Sequence, residues 1–212
     1  MLQAAEIIKL FRHKAERARA TVKEVVDVKA ALAHTVKLFR HNAAGISMPR
    51  DPKSGLPVGE WAVPHMDAGL IATPDLSTRH FSILRTYCER AGIPIVSKGL
   101  RNHCDNIQIG LTWARFGIAE TGSLVIGSTD EDLRLATMVS EIHVAMLPVT
   151  GIYESATDLA SQMRSTMRKS ENCLDLLSGT GIKADLDPAS AAGVYGPQKL
   201  YILLIGEDHA QA

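Results

Sequence analysis

The chain has 212 residues, of which 46% are hydrophobic and 22% charged. That is the composition of one globular domain, or one domain with an extension, and it argues against general disorder. Lys plus Arg number 23 and Asp plus Glu number 23, so there is no global basic field and nucleic acid is not a favoured partner. No apolar run reaches the about 18 residues of a membrane span. The opening "MLQAAEIIKLFRHK" lacks the order of charge, apolar core and small-residue site that marks a signal peptide. Cys88, Cys104 and Cys173 are odd in number and widely spaced. They fit a reduced, cytoplasmic protein rather than a disulfide framework.

Residues 3–19 read as an amphipathic helix, with Ile7, Ile8, Phe11, Ala15 and Ala18 on one stripe. "TVKEVV" (21–26) alternates and is rich in Val, which suggests a strand. Asp27 would then cap a helix running to about residue 41. One continuous helix over 3–41 is the competing reading, since Val22, Val25 and Val26 also fit the stripe. The resulting division is a helical segment over 1–42, an irregular loop or arm over 43–68, and an α/β domain over 69–206. Pro49, Pro52, Pro57 and Pro64 break every period in the middle segment. A loop of that length is usually functional or mobile.

From Gly69 onward strands and helices alternate. "GLIAT" (69–73) reads as a buried strand, and Pro74 and Asp75 open a helix that ends at Gly92. "IPIVS" (93–97) is the next strand. "NIQIGLTWARFGIAETGSLVIGS" (106–128) reads as a strand, a turn or short helix, and a second strand at Ser123–Ile126. "EDLRLATMVSE" is helical, "IHVAML" (142–147) is a strand, "YESATDLASQMRSTMRKS" is helical and "KLYILLI" (199–205) is a closing strand. This alternation predicts a mainly parallel sheet layered between helices.

Three stretches could carry chemistry. The first is Gly117 to Ser123, "GIAETGS", in which glycines flank Glu120 and Thr121. If this turn lies beyond the carboxyl end of a parallel strand, Glu120 is placed as a base, a nucleophile or a ligand anchor. Alternatively, its carboxylate holds the turn by accepting backbone N–H groups. The second is the loop beginning Ser178, Gly179, Thr180, whose small residues suit an anion cradle but equally an ordinary loop. The third is His143, within "EIHVAMLP", either a structural or a catalytic histidine. His103 and Cys104 are adjacent rather than spaced for a metal, so no metal site is expected. Without CxxC or Gly-x-Gly-x-x-Gly, no iron–sulfur or dinucleotide cofactor is expected on this chain.

In order along the chain, "GIAETGSLVIGS", "EIHVAMLP" and "SGTGIKADLDPASAAGVYGPQKLYILLI" resemble the signature of the lactate-utilisation proteins with a LUD domain. The branch they resemble is lactate utilisation protein C (LutC/YkgG). The resemblance covers about residues 69–206, and the start of the chain fits less specifically. Two departures are visible: Tyr195 stands where the family commonly has His before the Gly-Pro turn, and the 43–67 segment is longer than usual.

The resemblance implies a three-layer α/β/α sandwich similar to the sugar-phosphate isomerase and CoA-transferase group, with an N-terminal helical extension. It also implies a role as a non-redox subunit in a multi-protein system that oxidises L-lactate to pyruvate. Partners would be iron–sulfur subunits, a small carboxylate or phosphate ligand and, by self-association, a second copy of the chain. Glu120 would be the catalytic or anchoring group, and Thr121, Gly122, Ser123, Ser178, Gly179, Thr180 and His143 the ligand contacts. The alternative function is a stand-alone isomerase or acyl-CoA transferase-type enzyme using Glu120.

Overall fold

The computed structural model of the protein describes residues 3–43, 69–127, 130–160, 174–180 and 196–206. Of the arm expected over 43–68, Ala43 is instead the last residue of a helix and residues 44–68 lie outside the described residues, as do Trp61, Cys173, Gly181 and Tyr195. The first stretch resolves into three elements: helix α1 (Ala4–Arg17), strand β1 (Ala20–Val25) and helix α2 (Val28–Ala43). Local chemistry decides against one long helix. The Glu6 carboxylate accepts the Gln3 N–H at 3.0 Å and starts α1. Arg19 adopts φ 68° after its last turn. Asp27 Oδ1 accepts the Ala30 N–H at 2.7 Å, restarting the helix as α2.

Next come β2 (Leu70–Ala72), α3 (Thr78–Ala91), β3 (Ile95–Val96), a 3-10 segment (Leu100–Asn106) and β4 (Ile107–Trp113). Ser77 Oγ caps α3 by accepting the His80 N–H at 3.3 Å, and Gly92 at φ 67° closes it. Strands β5 (Phe116–Ile118) and β6 (Ser123–Gly127) follow, then α4 (Glu131–Met138), β7 (Ile142–Pro148) and β8 (Ile152–Tyr153). Residues 156–160 are helical, β9 spans Leu174–Leu177 and β10 spans Lys199–Ile205.

Six strands form an all-parallel sheet in the order β1-β10-β7-β4-β2-β3. The 3–43 stretch therefore packs on the domain and also contributes the edge strand of its sheet. Strands β4 and β7 are buried on both faces, which is why they read as near-continuous apolar runs. On one face Ile109, Leu111, Val144 and Met146 pack with Leu32 of α2 and Leu84 of α3. On the other, Ala145, Leu147, Ile202 and Leu204 pack with Phe11 and Ala15 of α1 and Leu133 of α4. Each Leu, Ile or Val fully buried there contributes about 1.5–3 kcal/mol relative to exposure. Helices thus cover both faces, giving the three-layer α/β/α fold.

A second sheet corrects the expectation of a single sheet. Strands β8, β5, β6 and β9 pair in that order, antiparallel at β5–β6 and β6–β9. Three of these strands are only 2 to 4 residues long, so none carries a periodic pattern that a sequence reading could detect.

Candidate functional site at the carboxyl ends of the central strands

The connections leaving β2 and β4 run in opposite directions. From β2 the chain crosses through α3 to β3, on the side of the sheet that α3 covers. From β4 it crosses through the second sheet and α4 to β7, on the opposite side. Adjacent parallel strands with diverging connections leave a crevice beyond their carboxyl ends, where ligands of open α/β sheets sit.

The residues in this crevice are Thr73 and Asp75, just past β2, and Trp113 and Arg115, at and just past the end of β4. The Trp113 N–H donates to Asp75 Oδ2 at 2.8 Å, tying the end of β4 to the β2–α3 turn. The other oxygen, Asp75 Oδ1, is buried and accepts no hydrogen bond among the described residues. Thr73 Oγ1 is also buried and unpartnered, on a residue only 1% exposed. The Trp113 indole lies against the imidazole of His80, with ring centroids 6.2 Å apart and planes inclined at 43°. Ile71 and Trp113 both pack into the core beneath α2 and α3, so Thr73, two residues beyond Ile71, is expected on that side by strand alternation.

Burial pushes the Asp75 carboxyl up to about 6. The Trp113 amide, its own amide (outside hydrogen-bond geometry) and the Arg115 guanidinium pull it back only in part. Leaving a buried polar atom unpaired costs about 1–3 kcal/mol. Two such oxygens, two residues apart at a switch-point crevice, make it the candidate ligand site of the described residues. Sequence reasoning placed Asp75 only as a helix opener. Its position directly after a buried strand and a proline was the available signal.

The Glu120 turn is built differently. It joins β5 to β6, so it is a hairpin tip of the second sheet and not the end of a strand in the parallel sheet. The Glu120 N–H donates to the Glu154 carbonyl at 3.0 Å, and the Gly122 N–H to the Ile118 carbonyl at 2.8 Å. The amides of Glu120 and Gly122 are therefore both engaged within the protein. Gly122 has φ 71°, and a Cβ there would lie 2.3 Å from the Ala15 nitrogen of α1. Gly179, at φ 70°, would place a Cβ 2.2 Å from the Ala18 carbonyl oxygen. Both glycines let the last turn of α1 approach, a packing role rather than a ligand approach.

The two loops meet at their hydroxyl groups. Ser123 Oγ donates to Thr121 Oγ1 at 2.7 Å and lies 2.6 Å from Ser178 Oγ. Glu120 is exposed, and its carboxylate accepts no hydrogen bond among the described residues. Thr180 ends that described stretch.

His143 stands apart from this cluster. It lies on β7, fully buried, with Nε2 2.8 Å from Thr112 Oγ1 and Nδ1 buried without a partner. Alternation with Val144 and Met146 directs it to the face opposite Trp113. Burial pushes the imidazole down to about 4, which keeps it neutral. His103 and Cys104 lie in the 3-10 segment, where Cys104 Sγ contacts the Leu100 carbonyl at 3.5 Å. Among the described residues no His, Cys, Asp and Glu cluster could hold a metal ion, and no helix is long and apolar enough to cross a membrane.

Comparison with known proteins places this geometry in a family. A solved DUF162 family protein from Deinococcus radiodurans superposes with a TM-score of 0.59 at 15% identity, covering 97% of this chain and 100% of that one. At that identity the likeness is one of fold. Lactate utilization protein C of Macrococcus caseolyticus is 26% identical over 116 residues, 52% of this chain and 50% of that protein. Lactate utilization protein C of Anoxybacillus flavithermus is 27% identical over 107 residues, 48% of each. YkgG of Escherichia coli, an uncharacterized protein, is 26% identical over 114 residues, 51% of this chain and 49% of that one. The chain thus matches about half the length of these curated relatives. The model of the LUD domain matches residues 8–205, taking in both sheets, the crevice and the Glu120 turn, and the chain belongs to the LUD domain family.

Proposed function

We propose that this protein is a non-redox component of a multi-protein system that oxidises L-lactate to pyruvate, and that it handles a small carboxylate ligand. Its membership of the LUD domain family and the names of its relatives support the pathway. The observation that carries ligand handling is the pair of unpaired buried oxygens, Asp75 Oδ1 and Thr73 Oγ1, at the switch-point crevice. A component without CxxC or a dinucleotide fingerprint fits a system in which iron–sulfur subunits carry the electrons. Deleting the gene tests this reading. Growth on L-lactate should be lost and restored by the wild-type gene, and the tagged protein should co-purify with iron–sulfur subunits. Unchanged growth on lactate contradicts the assignment.

A second reading rests on the exposed carboxylate of Glu120 at the β5–β6 tip. It makes the protein a stand-alone isomerase or acyl-CoA transferase with Glu120 as nucleophile or base. That reading requires turnover by the isolated protein and its loss on Glu120→Gln with no change in thermal stability.

A further inference from the structure

We propose that the crevice beyond β2 and β4 is a subsite for a small 2-hydroxy carboxylate, with Asp75 Oδ1 and the Thr73 hydroxyl on the ligand's 2-hydroxyl and the Arg115 guanidinium on its carboxylate. The existence of the subsite stands on the structure alone. The choice of lactate as probe rests on the reading under Proposed function.

Three features carry the assignment. First, the crevice is the point where the β2 and β4 connections diverge, the position at which open α/β sheets bind ligands. Second, its polar complement matches a hydroxy acid. Asp75 Oδ2 is consumed by the Trp113 amide, which fixes the carboxylate orientation and leaves Oδ1 as a preoriented acceptor. Thr73 Oγ1 has no partner among the described residues and can donate or accept. A ligand hydroxyl, which both donates and accepts, satisfies the two together. Third, Arg115 follows Trp113 just past β4, where its backbone N–H donates to the Val125 carbonyl at 2.8 Å, and its side chain is exposed with no ion pair among the described residues. Its fork is therefore open to pair with a carboxylate. The Trp113 indole, half-buried against His80, supplies an apolar wall of a size suited to a methyl group.

The same geometry predicts which ligand each substitution disfavours. Asp75→Asn must still give the Trp113 N–H an acceptor, so the amide oxygen takes that place and the NH2 replaces Oδ1. An acceptor becomes a donor. A 2-hydroxyl loses its charged acceptor, whereas the carbonyl oxygen of a 2-oxo acid gains a donor. Thr73→Val removes the hydroxyl at nearly constant volume. Arg115→Gln removes the charge that holds any carboxylate.

The test is isothermal titration of the full chain with L-lactate, pyruvate and propionate, which is lactate without its hydroxyl. The wild type should bind L-lactate at least about tenfold more tightly than propionate. Thr73→Val should weaken L-lactate about tenfold and leave propionate unchanged. Asp75→Asn should shift the L-lactate to pyruvate preference by about tenfold toward pyruvate. Arg115→Gln should weaken all three acids. Melting temperatures of the variants check that they are folded, and Thr73→Val is the reserve should Asp75→Asn misfold. Equal binding of L-lactate and propionate by the wild type, retention of L-lactate affinity by Thr73→Val, or no binding of any of the acids overturns the subsite. If this pattern is found while a deletion strain still grows on lactate, the subsite stands and the pathway reading fails.

Discussion

Asp75→Asn should gain stability relative to the wild type as pH rises. The folded-state carboxyl lies at about 6 against an ordinary value of 3.8, raised chiefly by burial. A folded pKa above the unfolded one means that the native state binds the proton more tightly. The stability linked to this group is therefore fully present below the unfolded value and is lost as pH rises through the folded value. At about pH 7.5, keeping Asp75 ionised in the crevice costs roughly 3 kcal/mol relative to a neutral isostere; at about pH 4.5 the same linkage gives roughly 1 kcal/mol. Asn also places an NH2 where Oδ1 is unpaired, a cost of about 1–3 kcal/mol that is common to both pH values. The difference between the two pH values, about 2 kcal/mol in favour of Asp75→Asn at the higher one, isolates the carboxylate. Urea denaturation of wild type and variant at both pH values measures it. In thermal melts it corresponds to about 4–8 °C for a chain of this size. An Asp75→Asn stability change that is the same at both pH values, or that turns more unfavourable as pH rises, refutes a strained, buried carboxylate.

Other substitutions separate packing from chemistry. Gly122→Ala forces a Cβ into the α1 backbone at a positive φ and should cost roughly 2–4 kcal/mol in chemical denaturation, as should Gly179→Ala. Glu120→Gln should leave stability within about 0.5 kcal/mol, because the side chain is exposed. A full loss of function in that folded variant, in a growth or turnover assay, would move the site to the hairpin tip. His143 has its folded pKa lowered by burial to about 4 from 6.5, so its contribution is present above 6.5 and is lost as pH falls toward the folded value. His143→Gln should therefore flatten the loss of stability on acidification, read from denaturation midpoints across that window. The Asp75→Asn comparison is unaffected, since both proteins carry His143.

Much of the central sheet was legible because its strands are buried on both faces and its helices on one. "KLYILLI" (199–205) coincides with β10, and "IHVAML" lies within β7. Asp27 acts as the cap that the strand–helix reading required. The second sheet was not legible. The stretch "LDLL" of β9 leaves Leu176 59% exposed and owes its existence to pairing with β6 across the sequence, a long-range interaction that local pattern does not encode. The glycines of "AETGS" and "SGT" suit a ligand approach, a tight turn or an ordinary loop equally in the sequence, and the close neighbour of Gly122 and Gly179 in the fold is the end of α1. Asp75 was missed for a related reason. Its carboxylate is perturbed by Trp113, 38 residues away, and only the sheet order brings β2 beside β4. In the sequence it is one more acidic residue ahead of a helix.

The central claim is that a small hydroxy acid binds beyond β2 and β4 and not at the β5–β6 hairpin. Amide and indole NMR of the labelled protein, titrated with L-lactate, tests this directly. Binding beyond β2 and β4 gives the largest shift changes at Thr73, Asp75, the Trp113 indole N–H and Arg115. Changes confined to Glu120–Ser123 and to Ser178 and Gly179, with the Trp113 indole unmoved, would contradict it.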